Sequence, residues 1–355
     1  ARLAGEAHAE GRVNMWLLGL LGQLLALPQE SLAALAEQKL QSKPAAYREA
    51  AVACIAAGAG HAIDCPLSAP AREATGTWVM SGNQAAGFGA LTAGVRFVAA
   101  YPITPASDVL EWMAGGLEQL GGHLVQAEDE LAAINMVLGA AFGGVPALTA
   151  TSGPGLALMT ESLGLAVASE TPVCVLNVMR VGPSTGIPTK SEQGDLSIAL
   201  HGLHGDAPHL VLAPLDIADC VFTTGWAVKL AQHLQTAAIV LSDQFLGQST
   251  AVVSAPRRCE WEPPAPASNG DIDFLRYRLT DSGVSTLAFP GEPDRRYTAD
   301  GLEHNERGTP SAGETDHRRQ LDKRLTKLTG FDFGDDWARI SGHGAVMLLA
   351  FGSAA

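Results

Sequence analysis

The fold is decided by one stretch of the sequence, Arg96-Phe97-Val98-Ala99-Ala100-Tyr101-Pro102-Ile103-Thr104-Pro105-Ala106-Ser107-Asp108. Its apolar first half predicts a buried strand. The two prolines stiffen the loop that follows, because each fixes φ at about −65° and removes an N–H donor. A helix is expected next, with Ser107 or Asp108 at its N-cap. Thr104 is therefore held on a rigid turn at the carboxyl end of a strand, the edge of an open α/β sheet where ligands bind. An ordinary strand–turn–helix junction has the same pattern, so the surrounding chain must decide between the two.

The surrounding chain alternates between strand and helix patterns. From residue 77 to about residue 243, apolar runs of five to eight residues are separated by helical segments. Strands are expected near residues 78–81, 95–100, 123–127, 146–151, 172–179, 209–213 and 237–242. This alternation predicts an α/β fold, in which a parallel sheet is flanked by helices on both faces.

The regions outside this core differ in composition and predict separate segments. The ranges we expect are a helical segment over 1–64, a linker over 65–76, the α/β domain over 77–255, an extended loop region with a charged helix over 256–340, and a further α/β domain that begins at 341–355. The chain opens without a methionine and closes on a buried-strand pattern over 345–352. We therefore expect a fragment of a longer protein.

Composition and charge exclude several classes of protein. The 355 residues carry 23 lysines and arginines against 37 aspartates and glutamates, a net charge of −14. This balance argues against nucleic acid or an anionic membrane as the main partner. The longest apolar stretch, residues 15–27, is too short to span a bilayer and lacks a signal-peptide pattern. Five scattered cysteines without a Cys-x-x-Cys motif predict reduced thiols in a cytoplasmic protein and no metal or cluster ligands in this chain.

Acidic residues mark the start of one predicted helix. Glu128, Asp129 and Glu130 end a strand and precede an apolar helical run. Acids at a helix N-terminus are favoured by about 0.3–1 kcal/mol each, which accounts for one or two of them without any function. A third carboxylate at the ligand-binding edge exceeds what capping requires. An inward-facing Glu130 would suit a proton relay.

Arg180 is the only arginine between Arg96 and Arg257, and it follows a predicted buried strand. A guanidinium binds carboxylates bidentately, which would suit an acidic substrate. A structural ion pair with a nearby acid explains the residue equally well, so both readings stay open. The chain contains neither a G-x-S-x-G elbow nor an H-E-x-x-H motif, which leaves serine hydrolases and zinc proteases unsupported.

Several motifs together resemble one family. They are Gly82-Asn83, Tyr101-Pro102-Ile103-Thr104-Pro105, Glu128-Asp129-Glu130-Leu131-Ala132-Ala133-Ile134-Asn135, Thr149-Ala150-Thr151-Ser152-Gly153-Pro154-Gly155, Gly182-Pro183-Ser184-Thr185-Gly186-Ile187-Pro188-Thr189, Leu241-Ser242-Asp243 and Gly301-Leu302-Glu303-His304-Asn305. In this order, over about residues 77–310, they resemble the alpha subunit of the 2-oxoacid:ferredoxin oxidoreductases, closest to the 2-oxoglutarate type. Residues 1–60 resemble the end of the gamma domain that some members fuse ahead of alpha.

The resemblance implies a pyrimidine-type domain that binds thiamine diphosphate jointly with a beta subunit. It implies oxidative decarboxylation of 2-oxoglutarate to succinyl-CoA and CO2, with coenzyme A as co-substrate and ferredoxin as electron acceptor. The beta subunit is expected to hold Mg2+ and a [4Fe-4S] cluster, since this chain lacks the Gly-Asp-Gly…Asn motif and the cluster cysteines. The expected assembly is a dimer of heterodimers.

The resemblance also implies roles for individual residues. Glu130 matches the glutamate that bonds the aminopyrimidine ring, and Thr104 matches the threonine that faces substrate and reactive carbon. Arg180 lies about where the family places a carboxylate-binding arginine. Three residues of the Thr104 loop complete the expected site. Tyr101 is expected to contact the substrate, and Pro102 and Ile103 are expected to contact the cofactor.

Three alternatives stay open at this stage. The enzyme could act on pyruvate or another 2-oxoacid, because loops set the specificity. The chain could instead be a non-catalytic scaffold that only completes the fold of its partner. A transketolase-type thiamine enzyme without an iron–sulfur partner is the third alternative.

Overall fold

The computed structural model describes residues 12–61, 76–182, 187, 189–262 and 274–355. The chain divides into two compact units, residues 1–75 and 76–355. Most of the predicted linker lies outside the described residues, as do residues 183–186 and 188 after the predicted strand near 172–179.

The first unit contains three helices in its described residues: α1 (Val13–Leu24), α2 (Gln29–Lys39) and α3 (Ala45–Ala59). The predicted helical pattern is confirmed there. Helices α1 and α3 pack backbone to backbone, because a Cβ on Gly19 would lie 1.9 Å from the Ile55 carbonyl oxygen. A Cβ on Gly58 would lie equally close, at 1.9 Å, to the Trp16 carbonyl oxygen. Side chains at either position would force these two helices apart.

The second unit is an α/β domain. Its strands are β1 (Thr77–Ser81), β2 (Phe97–Ala100), β3 (His123–Gln126), β4 (Ala147–Thr151), β5 (Val173–Met179), β6 (Leu210–Leu212), β7 (Ala237–Asp243) and β8 (Thr250–Ser254). Its helices are α4 (Gly82–Thr92), α5 (Ser107–Gln119), α6 (Glu130–Phe142), α7 (Gly153–Ala168), α8 (Leu196–His201), α9 (Asp219–Leu234), α10 (Gln244–Gln248) and α11 (Glu314–Thr329). The predicted charged helix is α11. A short 3₁₀ helix, Gly352–Ala354, lies near the end of the chain.

Among the described residues, six strands form one parallel sheet in the order β3-β2-β4-β5-β7-β6. The apolar side chains of α4, α5, α9 and α10 pack on one face, and those of α6, α7 and α8 pack on the other. Strands β5 and β7 are buried along their whole length, as their continuous apolar sequences require. The predicted α/β fold, a parallel sheet flanked by helices on both faces, is confirmed.

The structure corrects two strand predictions: the strand near 78–81 forms, as β1, but in another sheet, and the strand over 345–352 does not form. The strand near 78–81 does not join the parallel sheet, because β1 pairs antiparallel with β8 in a separate two-stranded ribbon. Only Met80 of β1 is buried, whereas a strand inside the main sheet is covered on both faces. The strand predicted over 345–352 is also absent, and four consecutive side chains there, residues 346–349, are 82–93 % exposed. Their backbone has no neighbouring strand within the described residues, and assignment of this segment to a further domain stays a prediction.

A buried ion cluster fastens α11 to the amino edge of the sheet. Glu170 is fully buried in the turn before β5. Its Oε1 accepts a hydrogen bond from Lys323 Nζ at 2.7 Å, and its Oε2 lies 2.9 Å from Lys327 Nζ. Arg276 Nη1 is 3.7 Å from the same carboxylate. Burial would raise the pKa of Glu170, but the three cations hold that pKa well below its usual value. Burial in turn lowers the pKa of Lys327 to about 7, against the attraction of Glu170.

We expect Glu170→Gln to lower the free energy of unfolding by about 3–5 kcal/mol, because it leaves three buried cations without their counter-charge. Urea denaturation followed by circular dichroism measures the change. Glu118→Gln, at an exposed position on α5, is the matched control and should stay within about 0.5 kcal/mol of the wild type. Equal stabilities of the two variants would contradict this account of the cluster.

Candidate active site

The helices that follow the neighbouring strands β2 and β4 lie on opposite faces of the sheet. Strand β2 pairs in parallel with β4, yet α5, which follows β2, packs on one face and α7, which follows β4, packs on the other. Connections that leave adjacent strands in opposite directions open a crevice at the carboxyl edge, where open α/β sheets bind their ligands. The loop of residues 101–106 flanks this crevice on one side and the turn of residues 152–155 on the other.

Two long-range hydrogen bonds fix the loop of residues 101–106. Asn83 Nδ2 donates to the Pro105 carbonyl oxygen at 2.9 Å. Arg180 Nη1 donates to the Thr104 carbonyl oxygen, also at 2.9 Å. Thr104 is exposed, and no described residue bonds its hydroxyl. That O–H group is therefore available to a ligand in the crevice.

Glu130 begins α6, where Asp129 caps the helix by accepting the backbone N–H of Ala132 at 2.7 Å. The Glu130 side chain is only 7 % exposed. It lies against Gly155, since a Cβ there would stand 2.7 Å from Glu130 Oε1 and 2.0 Å from Thr151 Oγ1. No described residue donates a hydrogen bond to the Glu130 carboxylate. Neither carboxylate oxygen is among the fully buried atoms without a partner, so the carboxylate keeps some access to solvent and is open to a donor from a ligand at this edge.

One end of the Arg180 guanidinium is already engaged. Nη1 donates both to the Thr104 carbonyl oxygen and, at 3.0 Å, to Thr189 Oγ1. Nε is buried without a partner, and no carboxylate of the described residues pairs with Arg180. The structural ion pair considered from the sequence is therefore not formed within the described chain. Nε and Nη2 thus keep donors that have no partner among the described residues, and a guanidinium can offer such donors to a carboxylate.

Sequence reasoning missed the side chains that anchor residues 189–195 beside this site. Asn177 Nδ2 donates to Asp195 Oδ2 at 2.8 Å, and Gln193 Nε2 donates to Asp243 Oδ2 at 2.9 Å. Burial raises the pKa of Asp195, partly opposed by the Asn177 hydrogen bond. The signal available in the sequence is Asn177, an amide inside the otherwise apolar strand β5. A buried amide needs partners, so its position indicates a polar contact at this edge.

The structure brings Thr104 and Arg180 into direct contact and places Glu130 at the same edge of the sheet, on α6. The contacts recorded for Glu130 are with α7 and β4. The remaining predicted residues lie in the Thr104 loop, two exposed and one packed against the core: Tyr101, Pro102 and Ile103. Contacts between these three and a substrate or cofactor stay predictions.

Other features of the described chain lie apart from this site. A cavity of about 740 Å³ is lined by aromatic side chains, among them Trp78, Trp226 and Trp261, and includes none of the predicted site residues. Among the described residues, no group of three or more His, Cys, Asp or Glu side chains is placed to hold a metal ion. None of the described helices has the length and apolar character needed to cross a membrane.

A family model described as pyruvate flavodoxin/ferredoxin oxidoreductase, thiamine diP-bdg (thiamine diphosphate-binding), matches residues 88–322. This range is more than half of the chain and contains Thr104, Glu130 and Arg180. The chain belongs to this family. The resemblance to the alpha subunits of 2-oxoacid:ferredoxin oxidoreductases is thereby confirmed.

Individual relatives agree with the family. The 2-oxoglutarate synthase subunit KorA of Archaeoglobus fulgidus is 39% identical over 275 residues, which cover 78% of this chain and 73% of that protein. The 2-oxoglutarate oxidoreductase subunit KorA of Mycobacterium tuberculosis is 35% identical over 370 residues, covering 99% of this chain and 56% of that protein. The chain thus spans only part of the length of these relatives.

A solved structure shares the fold. The 2-oxoglutarate:ferredoxin oxidoreductase from Magnetococcus marinus, with 2-oxoglutarate, coenzyme A and succinyl-CoA bound, has a TM-score of 0.83 and 39% sequence identity to this chain. The match covers 93% of this chain and 59% of that one.

The thiamine diphosphate that this family binds fits the site in two respects. The Glu130 carboxylate has no donor from the described chain, and a protonated aminopyrimidine ring would be such a donor. Gly155 leaves the carboxylate in its present place, since any side chain there would collide with it. That Glu130 would hold the ring of the cofactor stays a prediction here.

We expect Gly155→Ala to lower the free energy of unfolding by about 1–3 kcal/mol, because the new methyl group overpacks the junction between Thr151 and Glu130. Gly164→Ala in the same helix is the matched control, since a Cβ there meets nothing within 4 Å. The control should be neutral or slightly stabilising. Urea denaturation of the two variants measures the difference, and equal stabilities would contradict the tight packing described here.

Proposed function

We propose that this chain is the alpha subunit, or the gamma–alpha fusion, of a 2-oxoglutarate:ferredoxin oxidoreductase. The reaction joins 2-oxoglutarate and the thiol of coenzyme A to give succinyl-CoA, CO2 and one proton. The two electrons released pass to two oxidised ferredoxins, each of which takes one. The observation that carries the proposal is the Glu130 carboxylate at the carboxyl edge of the sheet, which meets no donor of the described chain although the residue is only 7 % exposed, in a chain whose relatives are named for this activity.

Bound thiamine diphosphate would supply the carbanion chemistry that decarboxylation of a 2-oxoacid requires. Glu130 would hold the aminopyrimidine ring and exchange a proton with its ring nitrogen. The free hydroxyl of Thr104 would donate a hydrogen bond to the oxygen of the 2-oxo group and so polarise the carbon that reacts.

Arg180 would bind a carboxylate of the substrate. Its Nη1 is occupied by the Thr104 carbonyl oxygen and Thr189 Oγ1, and its other donors, which have no partner among the described residues, would make the hydrogen bonds to that carboxylate. Because the same guanidinium holds the Thr104 loop, the substrate carboxylate and the Thr104 hydroxyl would be placed by one rigid group. Tyr101, exposed in that loop, would also contact the substrate.

A beta subunit would cover the carboxyl edge of the sheet. Large apolar side chains around the site are exposed, as expected for an interface core that a partner chain covers: Tyr101 41%, Leu131 47%, Leu158 48%, Ile187 65% and Phe245 62%. The beta subunit would contribute the diphosphate site, Mg2+ and the [4Fe-4S] cluster, and the complex would be a dimer of heterodimers that reduces ferredoxin. Pro102 and Ile103 would line the cofactor from this chain.

The proposal also covers location and domain organisation. The four cysteines that the structure describes are buried and unpaired, which suits a reducing cytoplasm. The first unit, residues 1–75, would be the end of a gamma-type domain, and residues 341–355 would begin a further α/β domain.

We expect Glu130→Gln to lower kcat by about 10²–10⁴-fold, because the amide keeps the shape of the carboxylate but cannot exchange the proton. The assay is 2-oxoglutarate- and CoA-dependent reduction of methyl viologen by the chain coexpressed with its beta subunit. Glu128→Gln, at an exposed position two residues away, is the matched control and should keep wild-type activity.

The outcomes of this assay separate the alternatives. An intact complex with full activity in Glu130→Gln would favour a scaffold role. Turnover of pyruvate or another 2-oxoacid in preference to 2-oxoglutarate would reassign the substrate. No activity of the wild-type complex with any 2-oxoacid would remove the proposal, and full activity in a colourless preparation would contradict the iron–sulfur partner.

We expect Arg180→Lys to raise the KM for 2-oxoglutarate by about 10- to 100-fold, since a lysine cannot replace a bidentate contact and a charge-assisted hydrogen bond contributes about 1.5–3 kcal/mol. The KM for coenzyme A should stay at its wild-type value, which serves as the internal control. Steady-state kinetics on the complex measures both constants. An equal rise in the two constants would argue against Arg180 as the group that binds the oxoacid.

A further inference from the structure

Asn83, the second residue of α4, lies at the meeting point of three chain segments. It is only 1 % exposed, and its Nδ2 donates to the Pro105 carbonyl oxygen at 2.9 Å. Its Oδ1 is buried without a partner. The orientation of the amide follows from chemistry, because a carbonyl only accepts and the amide nitrogen must therefore face Pro105. The amide is thus committed to the loop that carries Thr104.

Gly247 in α10 closes the other side of this amide. A Cβ on Gly247 would stand 2.5 Å from Asn83 Oδ1, 3.0 Å from its Cγ and 3.2 Å from its Nδ2. A Cβ on Gly82 would stand 2.3 Å from the Leu246 carbonyl oxygen, so the starts of α4 and α10 touch through their backbones. This packing confines the Asn83 amide from the side opposite to Pro105.

The position of α10 is itself fixed from the substrate side of the sheet. Asp243 Oδ1 accepts the backbone N–H of Leu246 at 2.9 Å, and its Oδ2 accepts Gln193 Nε2 at 2.9 Å. Gln193 belongs to the segment that also carries Thr189, a partner of Arg180. The Thr104 loop is thus restrained by Arg180 at one carbonyl and by Asn83 at the next.

We infer that Asn83 is a positioning residue for Thr104 and that Gly247 acts through it. The inference rests on the proposed function, in which the Thr104 hydroxyl addresses the 2-oxo group. Without Asn83 Nδ2, the hydrogen bond from Arg180 is the one long-range hydrogen bond that the described residues still give to the loop, and Arg180 is also the residue proposed to bind the substrate carboxylate. A displaced loop would then move the hydroxyl relative to the reacting carbon.

The test uses the complex assembled with the beta subunit, with kcat expressed per bound thiamine diphosphate. Asn83→Ala removes the donor, whereas Gly247→Ala keeps the donor and crowds it. Each variant should lower kcat with 2-oxoglutarate by about 10- to 100-fold, the effect of a misplacement of about 1 Å. The KM for coenzyme A should not change. Gly139→Ala in α6 is the matched control, because a Cβ there meets nothing within 4 Å, and it should keep the wild-type kcat.

The double variant distinguishes action through Asn83 from independent effects. The three atoms nearest a Cβ on Gly247 all belong to Asn83, so Gly247→Ala should cause no further loss in an Asn83→Ala background. Multiplying losses would overturn the assignment of Gly247. If Asn83→Ala fails to assemble, Gly247→Ala carries the test alone.

A merely structural role gives a different result. It predicts a lower melting temperature and less assembled complex, with an unchanged kcat per bound cofactor, and this outcome would overturn the inference. The proposed function is judged separately, by wild-type turnover and Glu130→Gln. Wild-type kcat in both Asn83→Ala and Gly247→Ala would therefore remove the positioning role and leave the proposed reaction standing.

Discussion

The parallel pairing of β2 with β4 is the constraint on which the site depends. The two strands are neighbours in the sheet although a complete strand and two helices separate them in the chain. Since their connections leave to opposite faces, the crevice exists before any side chain is considered. Thr104 and Glu130 lie at the ends of elements that border this crevice, so their side chains can face it directly. The chemistry of this edge is thus set first by topology and second by residue type.

Close backbone approaches give this edge its rigidity. At Gly155 and Gly247, the missing side chain is what allows Glu130 and Asn83 to occupy their places. Neither glycine has a positive φ, so its role is space and not conformational freedom. Protein interiors transmit small displacements because they are densely packed. A single methyl group at either position therefore acts on a polar side chain that lies far away in the sequence.

The sequence was sufficient for the elements and for the polar groups that follow each strand. Strands β2 to β7 and the acidic start of α6 follow from periodicity and capping. It was not sufficient for contacts between distant segments, such as Asn83 with Pro105 or Arg180 with Thr104, because those depend on strand order. It also misplaced β1, whose apolar run resembles a buried strand although it pairs with β8 in a ribbon at the surface.

The Glu170 cluster also has a consequence for limited proteolysis. Lys323 and Lys327 of α11 meet a carboxylate about 150 residues earlier in the chain, and Arg276 joins them. A peptide bond cut between β8 and Arg276 would leave the two fragments joined by four buried charges and no covalent link. Such a nicked protein should elute as one species under native conditions and separate only in denaturant. The cluster thus acts as a noncovalent clasp between the sheet and the C-terminal third of the chain.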